Sequence, residues 1–232
     1  MTKKYPTMQD WINSGVIEVD FYKKEQQHKL LHDMLLPCLN VRYVDGQLYG
    51  TEEFRTKICD FLEKRKPTVL ISSPKLVKGY PKKWIDNCST WEQVKEFMDS
   101  ISEPDKYFVL ITEMVEGTED TYIGTAIHKE NKLLFEFYKK PFWTDIRTIS
   151  SGCGETKYLK LGYIKEGKLK IKPKDVPFKD IQEIYNQLQG KTGYFEFIKG
   201  VKSGVPGIYF MEYQNDPAFI NAIDLADNLC DE

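Results

Sequence analysis

The stretch Ile181–Pro217, IQEIYNQLQGKTGYFEFIKGVKSGVPGIYFMEYQNDP, decides the reading of this chain. Ile181, Ile184 and Leu188 recur at helical spacing, and Gly190 follows where such a helix would stop. Two β-prone runs, GYFEFIKG and GIYFMEY, then flank a turn. The first bears Glu196. The second bears Glu212 and runs into Gln214, Asn215 and Pro217. On adjacent antiparallel strands the two glutamates can share a face. Two carboxylates and an amide oxygen there make a hard-oxygen site of the kind magnesium takes, with nucleotide phosphates completing its shell. A plain surface hairpin with both glutamates in water fits the same residues, so the pair alone leaves both readings open.

Two stretches upstream add to the first reading. YFVLITEMVEG, from Tyr107 to Gly117, is a strong strand with a polar end. Adenine needs an apolar slot with one donor and one acceptor, and a strand edge supplies both. An ordinary buried strand accounts for FVLIT but not for MVEG. Before it, TVLIS (68–72) reads as a buried strand, and SSPKLVKGYPKKW (72–84) reads as a basic loop. Lys75, Lys78 and Lys82 fall in this loop, and Arg147 lies further on in WTDIRTIS. Toward a phosphate, lysine acts as a point charge and arginine as a bidentate donor. A solvated basic loop is the commoner meaning of such a run.

In this order, the motifs resemble the ATP-grasp family over roughly residues 67 to 220. In that family a helix, an acidic strand, a turn and a strand ending in E-x-N-x-x-P supply the magnesium ligands. Here the second strand reads FMEYQNDP, with Gln214 at the usual Asn position and Asn215 one residue later. The resemblance implies metal ligation by Glu196, Glu212, Gln214 and Asn215. It implies adenine contacts from the backbone of Glu113, Met114 and Val115, and ribose contacts from Glu116. It implies phosphate binding by Lys75 and Lys78, with Lys75 and Arg147 as catalytic residues. No clean glycine-rich phosphate loop stands between Lys75 and Ser89, which marks a divergent branch of the family.

The expected fold is α+β and ATP-grasp-like, with two α+β lobes whose antiparallel sheets enclose a nucleotide cleft. A short N-terminal α/β segment, 1–66, precedes a small lobe, 67–116, with the basic loop and hinge strand. A C-terminal lobe, 117–232, carries the acidic strands. The implied cofactors are ATP and Mg2+. The implied activity is ATP-dependent ligation, in which a small-molecule or peptide carboxylate becomes an acyl phosphate for an amine or similar nucleophile to attack. A phosphotransferase, or a non-catalytic nucleotide- or protein-binding module on the same fold, are the alternatives.

The rest of the sequence narrows the class. There are 33 basic and 35 acidic residues, a net charge of -2, so nucleic-acid wrapping is not expected as the main task. Five scattered cysteines with no CxxC pair argue against a disulfide framework and fit a reducing cytoplasm. No run nears the roughly 20 apolar residues of a membrane span. Asp45-Gly46 signals a two-residue hairpin turn. Thr51 can cap a helix beginning TEEF, and Ser89 and Glu92 have capping-box spacing. TYIGTAIHK and KLLFEFYKK read as a hairpin around Glu130-Asn131. A last helix starts near Pro217 and buries Phe219, Ile220, Ile223 and Leu229. His28 and His32 sit four apart on a helix, where a solvated face is favoured over a metal pair, and His128 is the third histidine. Cys153, between glycines, reads as a loop cysteine. Ser72-Ser73 and Ser150-Ser151 lack a nucleophile-elbow sequence.

Overall fold

The computed structural model describes residues 21–75, 81, 83–138, 159–171, 178–224 and 227. Lys78, Lys82, Arg147, Ser150, Ser151, Cys153, Leu229 and Cys230 lie outside the described residues. The chain divides into two units. One is built from Gln27–Cys38 and Gly117–Glu232, the other chiefly from Leu39–Glu116. Each has its own antiparallel sheet, so the fold is α+β with one four-stranded and one six-stranded sheet.

The smaller unit holds β1 (Val41–Asp45), α2 (Glu52–Lys64), β2 (Thr68–Pro74), β3 (Lys83–Cys88), α3 (Trp91–Asp99) and β4 (Tyr107–Glu113) in strand order β1-β4-β2-β3; α1 (Phe21–Asp33) precedes them in the chain. Thr51 caps α2 as expected, its hydroxyl accepting from the Phe54 amide at 3.2 Å. Phe54, Ile58, Phe61 and Leu62 recur every three or four residues along α2 and are buried with Val94, Phe97 and Met98 of α3 and with Leu70, Val109 and Ile111 of the sheet. Burial of this apolar stripe, more than helix propensity, keeps α2 in place.

Two expectations fail here. Asp45-Gly46 makes no hairpin. Asp45 instead caps a short 3-10 turn, Gly46–Leu48, accepting from the Gln47 amide at 2.9 Å. Gly46 is needed for closeness: a Cβ there would lie 2.0 Å from the Pro104 carbonyl oxygen. The capping box of α3 is Thr90 with Gln93, one residue later than Ser89 with Glu92. Thr90 accepts from the Gln93 amide and Gln93 accepts from the Thr90 amide, at 3.3 and 3.1 Å. Within the smaller unit, β1 pairs antiparallel with β4 from Val41↔Thr112 to Asp45↔Phe108.

The larger unit holds β5 (Tyr122–Lys129), β6 (Lys132–Tyr138), β7 (Leu159–Lys165), β8 (Lys168–Ile171), α4 (Phe178–Gln187), β9 (Gly193–Lys202), β10 (Val205–Gln214) and the single turn α5 (Pro217–Ile220), with strand order β10-β9-β5-β6-β7-β8. The β5–β6 hairpin turns at Glu130-Asn131, with Lys129 opposite Lys132 and Glu130 at φ 57°. Side chains alternate across the sheet, so each strand contributes to two different surfaces. One surface carries Ala126, Leu133, Phe135, Phe137, Phe195, Phe197 and Phe210. It is buried against Ile181 and Ile184 of α4, Leu188 just after it, and Leu31 of α1. His28 is buried too, contrary to the solvated face expected for it, and meets His32 edge to face at 4.9 Å.

The opposite surface is apolar at one end, where Ile127, Leu134, Tyr163 and Tyr194 pack with Ala222 and Ile223. Asp227 closes that end with ion pairs to Lys132 of β6 at 2.6 Å and Lys165 of β7 at 2.7 Å, and accepts from the Tyr163 hydroxyl at 3.0 Å. Lys132 first, then Lys165 and Tyr163, pull the Asp227 carboxyl from 3.8 down to about 2, against an opposing push from burial. A lowered native pKa adds stability above the unfolded value and loses it as pH falls through the native one. Acid titration between pH 3.8 and about 2 is therefore expected to release this contribution, and Asp227→Asn to flatten that part of the acid-unfolding curve. An unchanged acid limb in Asp227→Asn would show that these ion pairs add nothing to stability.

Candidate functional site

Glu196 sits in the middle of β9 and Glu212 near the end of β10, and the two are direct partners in the antiparallel ladder. Simple alternation would not bring them together. Phe210 faces Phe197 across the ladder, so Met211 would face Glu196 and Glu212 would turn to the other surface. An irregularity between Phe210 and Glu212 takes up one residue, and Glu212 comes opposite Glu196 instead. The outer edge of β10 is held at this point: the Phe210 amide donates to the Pro37 carbonyl at 2.8 Å, and Cys38 bridges to Phe210.

The register extends the acidic pair into a row. Glu196 faces Thr125 of β5, and Thr125 faces Glu136 of β6. Directly paired residues point to one side, so Glu212, Glu196, Thr125 and Glu136 line up across four adjacent strands. Glu136 is only 5% exposed and Thr125 is also buried, while Glu196 and Glu212 are half-buried. Tyr194 lies beside the row, 4% exposed, and its hydroxyl donates to Glu196 Oε1 at 2.9 Å. Burial first, then the carboxylates of Glu196, Glu212 and Glu136, push the Tyr194 phenol well above its ordinary value. It therefore stays a neutral donor at any physiological pH. The Gln214 side-chain amide donates to Glu212 Oε1. Asn215 is exposed, and its Oδ1 accepts from Gln27 at 3.4 Å.

Among the described residues, no three histidines, cysteines, aspartates or glutamates form a metal cage by themselves. Magnesium commonly takes one or two carboxylates and completes its shell with phosphates and water. The oxygen donors of Glu196 and Glu212 fit it.

In the smaller unit, the hinge candidates occupy the end of β4 and the residues after it. The Glu113 carboxylate accepts from the Asn40 backbone and side-chain amides at 2.8 and 3.0 Å. The Glu113 and Met114 amides donate to Asn40 and Pro67 carbonyls. Val115 is buried and Glu116 exposed. Lys75 follows β2. Its ammonium is 2.6 Å from Asp45 Oδ1 and lies over the Phe108 ring at 5.0 Å.

The sequence reading named Glu196 and Glu212 but passed over Glu136, Thr125 and Tyr194. A lone Glu in KLLFEFY looks like a solvent-facing strand residue. Only the register across β6, β5 and β9 puts it in the row.

No family model and no curated protein matches the chain. Among solved structures it is similar to a dinucleotide-forming acetyl-coenzyme A synthetase of Ca. Korarchaeum cryptofilum, with 12% identity, TM-score 0.47, and 82% of this chain and 90% of that one covered. It is similar to the D-alanine-D-alanine ligase of Helicobacter pylori, with 15% identity, TM-score 0.45, and 90% and 60% covered. It is also similar to a RimK domain protein of Sphaerobacter thermophilus, with 11% identity, TM-score 0.45, and 89% and 65% covered. The last of these is described as an ATP-grasp protein. The chain spans 58% of the length of D-alanyl-alanine synthetase A from Vibrio cholerae, to which it is similar at 10% identity and TM-score 0.42. No helix among the described residues is long and apolar enough to cross a membrane.

Proposed function

We propose that the protein binds ATP with magnesium, the cation being held by Glu196 and Glu212, and uses it to activate a carboxylate. The observation that carries this reading is the irregularity beside Met211, which spends a break in the ladder on setting Glu212 opposite Glu196. Bulges of this kind cluster beside active sites because they re-aim a side chain. Magnesium bound there would neutralise phosphate charge and orient the γ-phosphoryl group for in-line attack.

In the reaction proposed, a substrate carboxylate oxygen attacks the γ-phosphorus and the bond to ADP breaks. An amine or similar nucleophile then displaces phosphate from the acyl phosphate, forming the amide and releasing the amine's proton. Glu196 and Glu212 would hold the cation, whose charge would offset the growing charge on the transferred group. Roles for Lys75, Lys78 and Arg147 in phosphate binding, and for Glu113 to Glu116 in base and ribose binding, belong to this proposal. So do a small-molecule or peptide carboxylate as substrate and the cytoplasm as the place of action.

One observation favours a second reading, a nucleotide-binding module without turnover. Lys75, the candidate catalytic lysine, is already paired with Asp45. A thermal-shift panel tests the binding common to both. ATP at about 100 times its dissociation constant adds about 2.7 kcal/mol to the native state, and magnesium is expected to lower the ATP concentration needed. No shift at millimolar ATP with magnesium would sink both readings. ADP release on adding carboxylates and amines favours the ligase, and binding without release favours the module.

A further inference from the structure

We propose that Tyr194 is a positioning residue for the cation site, its hydroxyl fixing the Glu196 carboxylate in the orientation that meets a divalent cation shared with Glu212. This inference rests on the reading of Glu196 and Glu212 as the magnesium ligands.

Tyr194 and Glu196 lie two apart on β9, so their side chains leave the same side of the sheet. The ring of Tyr194 is locked in place: it is buried with Ile127, Leu134, Tyr163, Ala222 and Ile223. Ile127 is its direct partner on β5, and Gln214 its partner on β10. A ring fixed by packing on both flanks holds its hydroxyl at one point. That point is 2.9 Å from Glu196 Oε1. A glutamate has three rotatable side-chain bonds, and a half-buried one samples several rotamers unless a neighbour selects one. The donor here is neutral, so it orients the carboxylate without cancelling its charge. A lysine or arginine at the same point would compete with the cation for that charge.

Gln214 does the same for Glu212, as a neutral donor two residues along β10. The two carboxylates are thus direct partners across the ladder, each held through one oxygen by a neutral donor two positions away on its own strand. Outer-shell partners of this type commonly set metal affinity, and their loss costs roughly 10–100-fold.

The test is a magnesium titration of ATP-induced thermal stabilisation, run on the full chain as wild type, Tyr194→Phe, Glu196→Gln and the double variant. Tyr194→Phe removes one oxygen and keeps the ring in its packing. The expected result is that Tyr194→Phe raises the half-saturating magnesium concentration roughly tenfold. Its melting temperature without ligands and its response to ATP in excess chelator should stay as in wild type, which a merely structural role would not leave unmoved. In the Glu196→Gln background, Tyr194→Phe should add no further loss, because the carboxylate it positions is gone. An unchanged magnesium half-point in Tyr194→Phe, alongside a clear wild-type response, overturns the inference and leaves the functional reading standing. Unfolding of Tyr194→Phe while Glu196→Gln stays folded also overturns it, by making the hydroxyl structural. A wild type that ignores magnesium contradicts the functional reading itself, and the inference with it.

Discussion

Glu212→Gln is expected to abolish the magnesium-dependent part of ATP binding while leaving the fold intact. Gln is nearly isosteric with Glu, and its amide oxygen can still accept the hydrogen bond that Gln214 gives to Glu212. Glu212 is half-buried on an edge strand, so the change should move stability by no more than about 0.5 kcal/mol. As a cation ligand it loses a full negative charge, and a neutral amide oxygen is a poor substitute beside phosphates. The loss of affinity should exceed the roughly 10–100-fold that removal of an outer-shell partner costs. Calorimetric titration of ATP with and without magnesium measures it. Equal magnesium enhancement in wild type and Glu212→Gln would remove Glu212 from the site.

The second large effect lies on the other side of the sheet, on β9. Phe197 adjoins Glu196 in β9 but points into the aromatic core, with no exposed surface. Its ring meets Tyr122 and Phe210 at 6.2 and 6.4 Å between centroids. It also fills the space over Gly124, where a Cβ would lie 2.4 Å from Phe197 Cζ. Phe197→Ala should therefore leave a cavity that the sheet cannot close, at about 3–5 kcal/mol. Urea unfolding of the larger unit should show a lower midpoint with little change in slope. A midpoint within experimental scatter of wild type would mean that Gly124 and its neighbours collapse into the space.

The two substitutions separate the two jobs of β9 and β10. One surface of each strand holds the core and the other holds carboxylates, and strand alternation makes that division possible. That division is also what the sequence displayed best. GYFEFIKG and GIYFMEY alternate clearly enough to mark strands, and Glu196 and Glu212 stand out as charges among apolar residues. The helices were legible where an apolar stripe and a cap agreed, as in α2 with Thr51. Register was not legible, because it is set by neighbours distant in sequence. Glu136 joins Glu196 only through Thr125 on an intervening strand, and Glu212 faces Glu196 only through the irregularity beside Met211. Local chemistry misled where tertiary contacts decided. Asp45-Gly46 has hairpin composition, yet the close approach of Pro104 requires Gly46 for room, and Asp45 caps a 3-10 turn instead. His28 looked like one of a solvated pair, but the helix face that carries Leu31 into the core carries His28 with it.

The central claim is that Glu196 and Glu212 hold a divalent cation that carries nucleotide phosphates. The most direct measurement is anomalous diffraction from crystals of the protein grown with manganese, as a stand-in for magnesium, and a non-hydrolysable ATP analogue. The account predicts a manganese peak bonded to carboxylate oxygens of both Glu196 and Glu212, with phosphate oxygens of the analogue in the same coordination shell. A nucleotide bound with its manganese away from both glutamates, or crystals with no manganese at the β9–β10 row, would contradict it.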